Sequence, residues 1–239
     1  MKIGDLYKTI VLGLKKHEDK EGAAIAKSYH KYGGYESYGL TTPVVRMLLK
    51  QRKKDIQALN CKEALVLARK FFNSHIEEHA LAGNYTLQLK TDCITPTQYD
   101  YLDRLLDHFR SWSAIDGFCV GGGKVLQPLL SKYPKETLAL LRKWNKSKNM
   151  WKRRASVVAF TRKVGESGRF IKEALELCEN LIWAKEDLVR KAVGWCLKDV
   201  MRGDKKRVLA YVKSLRQRGV PPVITSYAVR DLKKKNKKA

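Results

Sequence analysis

Apolar residues recur at three- and four-residue intervals along almost the whole chain, and this spacing constrains the fold more than any other feature. In the first segment the residues that would share one helical face are Ile3, Leu6, Tyr7, Ile10 and Val11. No convincing segment alternates apolar and polar residues as a half-buried β-strand does. The sequence therefore predicts an all-α protein of about fourteen helices, near 2–16, 21–32, 42–54, 61–73, 75–90, 96–108, 112–120, 123–131, 135–144, 149–165, 169–183, 185–201, 204–217 and 222–234.

The lengths and pairing of the predicted helices indicate a repeat architecture. Helices of roughly ten to sixteen residues, paired about every 35–40 residues, are typical of an α-solenoid. An irregular or globin-like helical domain is the alternative, because the successive pairs share little sequence. No stretch has the composition of a linker, so we expect one domain over residues 1–232. Residues 233–239 include five lysines, and we expect a solvated basic tail.

The charge of the chain indicates a polyanionic partner. It has 49 lysine and arginine residues against 24 aspartate and glutamate residues, a net charge of +25. Nucleic acid is the usual partner of such a chain, because phosphate binding releases condensed counterions. An anionic membrane surface is the alternative, but no segment is basic on one helical face and aromatic on the other. Asp5 and Lys8 interrupt the first apolar stretch, which differs from a signal peptide, and no run could span a bilayer. We expect a soluble cytoplasmic protein.

The cysteines are spread singly through apolar helical segments, at Cys61, Cys93, Cys119, Cys178 and Cys196. An odd number without paired spacing predicts reduced thiols. No Cys-x-x-Cys pair is present that could bind zinc.

Two groups of residues could be taken for metal ligands. His75 and His79 are four residues apart, but the residue after His75 is isoleucine rather than the glutamate of metalloproteases. We interpret this segment as a solvated helix face. Asp103, Asp107 and Asp116 could form a carboxylate cluster, but nearby arginines favour solvated ion pairs.

Residues Gly121–Lys124 resemble a phosphate-binding loop. The glycine spacing departs from the Walker pattern, and Val125 stands where serine or threonine would contact magnesium. We interpret the segment as a helix break, with phosphate binding by backbone N–H groups as the weaker alternative.

Three tryptophan-containing segments are harder to explain by core packing alone. Their members are Trp112 with Asp116, Trp151 with Arg154, and Arg190 and Lys191 with Trp195. Trp112 and Asp116 would share one face of a helix. A carboxylate beside an aromatic ring, in so basic a chain, indicates a site for a cationic group within a surface that binds a polyanion. Any one tryptophan is more often a core residue, but together the segments indicate chemistry on damaged nucleic acid.

These segments resemble the alkylpurine DNA glycosylases of the AlkD type, which belong to the HEAT-like DNA alkylation repair proteins. The resemblance covers nearly the whole chain. It is carried by Gly39-Leu-Thr-Thr-Pro43, Trp112-x-x-x-Asp116, Trp151-Lys-Arg-Arg154-Ala-Ser-Val and Asp187-Leu-Val-Arg-Lys191-Ala-Val-Gly-Trp195. The last segment is the most specific of the four.

The resemblance implies a curved stack of HEAT-like helix pairs whose basic concave face holds duplex DNA. Asp116 would be the catalytic carboxylate, and Trp112 and Trp195 would pack on the deoxyribose and backbone of the lesion. Arg154 would bind a phosphate near the lesion, and Tyr29 would be the aromatic residue that approaches the lesion from the N-terminal region. The other expected DNA-binding residues are Trp151, Arg153, Arg190 and Lys191. No metal or other cofactor is expected, and the protein is expected to act as a monomer.

The residue types agree with the chemistry that the resemblance implies. A purine methylated at N3 or N7, such as 3-methyladenine or 7-methylguanine, is cationic and leaves as a neutral base, so no general acid is required. Positive charge then develops on the sugar, where a fixed carboxylate such as Asp116 stabilises it and can position the attacking water. The resemblance also implies that the base is not flipped into a pocket, as it is in most enzymes that act on nucleobases.

Two other functions stay open. A catalytically silent relative would bind damaged or branched DNA, and a HEAT-like scaffold would bind another protein. The presence of Trp112, Asp116 and Arg154 favours the glycosylase, because silent relatives tend to lose such positions. The excess of basic residues argues against the scaffold.

Overall fold

Seventeen α-helices and three short 3-10 helices make up the regular structure of the computed structural model, which describes residues 2–30, 34–120 and 125–235. Within these ranges there is no β-strand, only an isolated bridge between Glu36 and Ile76. The all-α prediction is confirmed. The chain divides into two compact units, residues 1–132 and 133–239. The expectation of a single domain over 1–232 stays a prediction.

The described residues of the first unit form nine α-helices: α1 (Ile3–Lys15), α2 (Lys20–Tyr29), α3 (Thr42–Lys50), α4 (Lys53–Ala58), α5 (Cys61–Phe72), α6 (Glu77–Leu89), α7 (Tyr99–Leu105), α8 (Trp112–Cys119) and α9 (Leu126–Lys132). The 3-10 helices are Thr91–Cys93, Pro96–Gln98 and Leu106–His108. Helix α6 packs against α5, α3 and α8, while α1 packs against α3 and α5. Gly83 allows the close approach of α5, because a Cβ there would lie 2.8 Å from the Phe72 ring. Fully buried apolar residues such as Leu14 and Phe71 fill the core.

In the second unit, residues 133–235 are described and form eight α-helices: α10 (Pro134–Asn145), α11 (Met150–Val158), α12 (Lys163–Glu166), α13 (Ile171–Glu179), α14 (Asp187–Gly203), α15 (Lys205–Gln217), α16 (Pro222–Ala228) and α17 (Arg230–Lys235). Helix α14 lies at its centre and contacts α11, α12, α13, α15 and α16. The close contact with α16 depends on Gly194, because a Cβ at this position would lie 2.7 Å from Tyr227 Cβ. The helix that carries Trp195 is therefore the central element of this unit.

Three predicted helices are each divided in two, so the described residues contain seventeen α-helices rather than about fourteen. Others are shortened. The predicted helix at 149–165 breaks at Arg162, where φ is 54°. The one at 222–234 breaks at Val229, and the one at 42–54 ends at Lys50 before a separate α4. Helix α6 begins at Glu77 rather than 75, because His75 has a φ of 62°. Apolar spacing does not predict where such breaks occur, because they depend on the backbone conformation of single residues.

The interpretation of His75–His79 as a solvated helix face was wrong. His79 is only 2% exposed, and its ring nitrogens lie 2.8 Å from Ser74 Oγ and 3.2 Å from Tyr38 Oη. Glu78 is also buried and accepts hydrogen bonds from Tyr38 N and Leu40 N. This face of α6 therefore anchors the segment around Tyr38. Among the described residues, no three histidine, cysteine or acidic side chains cluster closely enough to bind a metal ion.

The prediction that all cysteines are reduced was wrong for two of them. Cys61, the first residue of α5, and Cys93, the last residue of a 3-10 helix, form a disulfide with Cα atoms 5.9 Å apart. They are 32 residues apart in sequence, so their proximity depends on the packing of the first unit rather than on local spacing. Cys119, Cys178 and Cys196 are buried and are not disulfide-bonded.

Two sequence features fall wholly or partly outside the described residues. These are the glycine-rich segment 121–124 and residues 236–239 of the basic tail. In the part of the chain that the structure does describe, no helix has both the length and the apolar character needed to cross a membrane.

Candidate functional site

The first turn of α8 is held in place by a carboxylate from α6. Ser111 caps the helix by accepting a hydrogen bond from Ala114 N at 3.1 Å. Its hydroxyl donates to Glu77 Oε2 at 2.5 Å, and the Ser113 hydroxyl donates to the other oxygen of Glu77. Burial raises the pKa of Glu77, while the two serine hydrogen bonds act in the opposite direction. Trp112 lies between the two serines, so the position of its backbone is fixed.

The indole of Trp112 extends a short stack of aromatic rings. His30 and Tyr35 are stacked with ring centroids 3.6 Å apart, and the His30 and Trp112 rings are nearly parallel at 6.0 Å. Burial lowers the pKa of His30, which favours its neutral form. Trp112 is nevertheless 40% exposed, so this large apolar ring remains accessible. Tyr29, the predicted lesion-contacting aromatic residue, is the last residue of α2 and is 73% exposed.

Asp116 lies one helical turn after Trp112 on α8 and is half-buried. The opposite face of α8 packs into the core through Ala114, Ile115, Phe118 and Cys119. Helix α6 lies close to it, because Asn84 Nδ2 donates to Ala114 O at 2.9 Å and Gly117 leaves space for the same amide. The predicted pairing of Trp112 and Asp116 on the outer face of one helix therefore agrees with the structure.

In the second unit, Arg153 and Arg154 join α11 to the start of α14. Arg154 is only 5% exposed, and its Nη1 donates to Leu188 O at 2.5 Å. Arg153 Nη2 lies 2.5 Å from Glu186 Oε1 in a salt bridge. Burial acts to raise the pKa of Glu186, but hydrogen bonds from Arg153 and from the backbone, together with the charges of Arg153 and Lys185, hold that pKa below its usual range. Trp151 is buried beside them at 7% exposure.

The predicted residues on α14 differ in accessibility. Arg190 Nε donates to Ala184 O at 2.5 Å, which ties the helix to the preceding connector. Lys191 is exposed and forms an i,i+4 salt bridge of 2.7 Å with Asp187. Trp195 lies one turn further along and is half-buried. The guanidinium carbon of Arg162 lies 5.7 Å from the centroid of the Trp195 ring.

The structure thus groups the predicted residues in two places. Trp112 and Asp116 both lie on α8 in the first unit. In the second unit, Lys191 and Trp195 lie on α14, and Arg153 and Arg154 lie on α11, which contacts the start of α14. Sequence spacing did not predict the roles of Glu77, His30 and Arg162, because their contacts with Ser111, Trp112 and Trp195 each span at least 33 residues. No local spacing could have indicated such contacts.

Residues 10–232 match the model of a protein family described as DNA alkylation repair enzymes. A predicted DNA alkylation repair enzyme from Enterococcus faecalis has a similar structure, with a TM-score of 0.73 and 15% identity over 89% of this chain and 95% of that one. The alkylpurine DNA glycosylase AlkC of Pseudomonas fluorescens, bound to DNA with an abasic site analog, has a TM-score of 0.55 and 15% identity. That match covers 96% of this chain and 62% of AlkC. At 15% identity, these similarities show a shared fold and nothing more. No curated protein has a significantly similar sequence.

Proposed function

Since this chain belongs to the family of DNA alkylation repair enzymes, we propose that it is a monofunctional DNA glycosylase. Its substrates are purines alkylated at N3 or N7 in duplex DNA, such as 3-methyladenine and 7-methylguanine. The observation that carries this proposal is the accessible Trp112 indole with Asp116 one turn away on the same outer face of α8. An aromatic face and a carboxylate together suit a cationic nucleotide.

Asp116 acts on the charge that develops during bond cleavage. The alkylated purine already carries a positive charge, so it leaves as a neutral base without protonation. The bond between C1′ and the base nitrogen breaks with its electron pair moving to the base, and the sugar becomes cationic. Asp116 stabilises that sugar and orients a water molecule, which adds to C1′ and releases its proton to the surrounding water. The Glu77 hydrogen bonds keep the first turn of α8 fixed, so the carboxylate needs little reorganisation.

The remaining predicted residues divide into direct contacts and supporting ones. Tyr29 in the first unit, and Lys191 and Trp195 in the second, are accessible enough to touch DNA. Arg153 and Arg154 support the contacts of the second unit indirectly, because their guanidinium groups hold the start of α14. Trp151 and Arg190 have the same supporting role. The protein acts as a monomer and needs no cofactor.

We propose further that the base stays outside a pocket. The Trp112 ring is an exposed, nearly flat extension of the Tyr35–His30 stack, which suits contact with the sugar and backbone. Such contact leaves space for adducts larger than a methyl group, in contrast to enzymes that enclose a flipped base.

The test is release of 3-methyladenine and 7-methylguanine from methylated duplex DNA under single-turnover conditions. We compare the natural protein with Asp116→Asn, which removes the charge and keeps the shape. Asp107→Asn is the matched control, since it makes the same charge change in the same unit but outside α8. We expect Asp116→Asn to lower the rate at least about 100-fold, with DNA binding unchanged or stronger because a carboxylate no longer repels phosphates.

The outcomes separate the competing functions. Base release by the natural protein and by Asp107→Asn, but not by Asp116→Asn, supports the glycosylase. Equal release by Asp116→Asn would remove Asp116 from the mechanism. No release by any variant, together with tight salt-dependent DNA binding, would indicate the silent DNA-binding relative.

A further inference from the structure

Arg162 has a backbone conformation that side chains other than glycine rarely adopt. Its φ is 54° and its ψ is −133°, close to the first central position of a type II′ turn, where glycine is usual. It lies between α11 and α12 and causes the break in the helix predicted there. Strained residues of this kind persist only where the surrounding structure enforces them, and they concentrate at functional sites.

A buried carboxylate on α14 enforces the conformation. Asp199 is 1% exposed, and its Oδ2 accepts a hydrogen bond of 2.7 Å from Arg162 N. Gly165 brings α12 directly onto α14, because a Cβ there would lie 2.9 Å from the carbonyl carbon of Asp199. The glycine contact and the carboxylate together fix the connector against the central helix of the unit.

The fixed connector places the Arg162 side chain beside a predicted site residue. Its guanidinium carbon lies 5.7 Å from the centroid of the Trp195 ring. Arg162 is exposed, and none of the ion pairs found among the described residues includes it. Arg202, on the same helix as Trp195, is instead engaged by Glu166 and Asp231. Arg162 thus keeps its hydrogen-bond donors available on an accessible aromatic surface.

We propose that Arg162 binds a DNA backbone phosphate next to Trp195, and that Asp199 is its positioning residue. The inference rests on the proposed function, because it takes Trp195 to contact the DNA backbone. The planar guanidinium matches two phosphate oxygens at once, and the Trp195 ring supports its plane. The strained backbone has a function in this arrangement, since glycine would fit the turn better but would provide no cation.

The experiment measures equilibrium binding to duplex DNA with a single abasic-site analogue, as a function of salt, together with thermal stability. Arg162→Gly is the first variant, because it removes the guanidinium and relieves the backbone. Arg162→Gln is the second, because it keeps part of the stem on Trp195 without the charge. Arg169→Ala is the matched control: Arg169 is another exposed arginine in this unit, 4.9 Å from the Phe170 ring centroid.

We expect Arg162→Gly to be at least as thermostable as the natural protein. Both Arg162 variants should bind DNA about tenfold more weakly at moderate salt, and the slope of log K against log salt should decrease by about 0.9. Arg169→Ala should keep the affinity and slope. The combination of unchanged or higher stability with weaker binding would not arise from a merely structural residue.

The failure of this inference is distinguishable from failure of the proposed glycosylase. Unchanged affinity and slope in both Arg162 variants would overturn the inference, even if the natural protein releases methylated bases. An equal loss in Arg169→Ala would also overturn it, because net charge alone would then explain the effect. A specific loss in the Arg162 variants, with no base release by the natural protein, would support the phosphate contact and refute the glycosylase.

Discussion

His79 shows how a single buried residue couples the stability of the first unit to pH. Its imidazole is almost fully enclosed between Ser74 and Tyr38, and burial lowers its pKa to about 4. In the unfolded chain the ordinary value near 6.5 applies. Between these values the unfolded chain binds a proton that the folded unit does not bind. The contribution of His79 to stability is therefore fully present above pH 6.5 and is lost as the pH falls toward 4.

We expect His79 by itself to lower the free energy of unfolding by roughly 1–2 kcal/mol between pH 6.5 and pH 5. Urea unfolding at a series of pH values measures it. His79→Gln should flatten the pH dependence, whereas His17→Gln, at an exposed position after α1, should keep it. Burial also lowers the pKa of His30, His75 and His108, which acts in the same direction, whereas the raised pKa of Glu77 acts in the opposite direction. The difference between the natural protein and His79→Gln therefore isolates the contribution of His79. An equally steep pH dependence in His79→Gln would contradict this assignment.

At the level of helices, the contact between α11 and α14 decides what Arg154 does. Because its guanidinium is buried against Leu188 O, Arg154→Ala should destabilise the protein by roughly 2 kcal/mol. Base release should fall because the start of α14 loses its support, while the salt slope of DNA binding should stay the same. Thermal unfolding and salt-dependent binding, measured side by side, check both expectations.

Lys191→Ala provides the contrasting variant on the same helix. Its ion pair with Asp187 is exposed, so stability should change by less than about 0.5 kcal/mol. Because Lys191 is proposed to contact a DNA phosphate directly, Lys191→Ala should reduce the slope of log K against log salt by about 0.9. If Arg154→Ala reduced the slope and kept full stability, Arg154 would be the phosphate-binding residue and its supporting role would be wrong.

The helices show which features a sequence can predict and which it cannot. The shared helical face of Trp112 and Asp116, one turn apart on α8, followed from helical periodicity, whereas its position on the outside of the helix is known from the structure. The break before α12 did not, because Asp199 stabilises the conformation of Arg162 from 37 residues away. Glu77 likewise anchors α8 from 34 residues upstream of Ser111. Periodicity is local, whereas these contacts depend on how the helices pack.

For the whole molecule, the net charge of +25 affects every encounter with DNA. Electrostatic attraction of this kind is independent of sequence and is lost rapidly as salt rises, because each neutralised phosphate releases counterions. In the proposed function this attraction would bring the protein to DNA but would not distinguish an alkylated purine from a normal one. Recognition of the lesion should therefore depend on α8, and affinity for undamaged DNA on the basic residues as a group.

Deletion of residues 233–239 separates the affinity for undamaged DNA from the recognition of the lesion. The deletion takes away five of the 49 basic residues and lies just beyond the family match, which ends at residue 232. We expect weaker binding of undamaged duplex at low salt and a smaller salt slope. Single-turnover base release at saturating enzyme should be unchanged, because Trp112 and Asp116 remain in place. A truncated protein that bound DNA normally but released bases more slowly would instead assign the tail to the catalytic site.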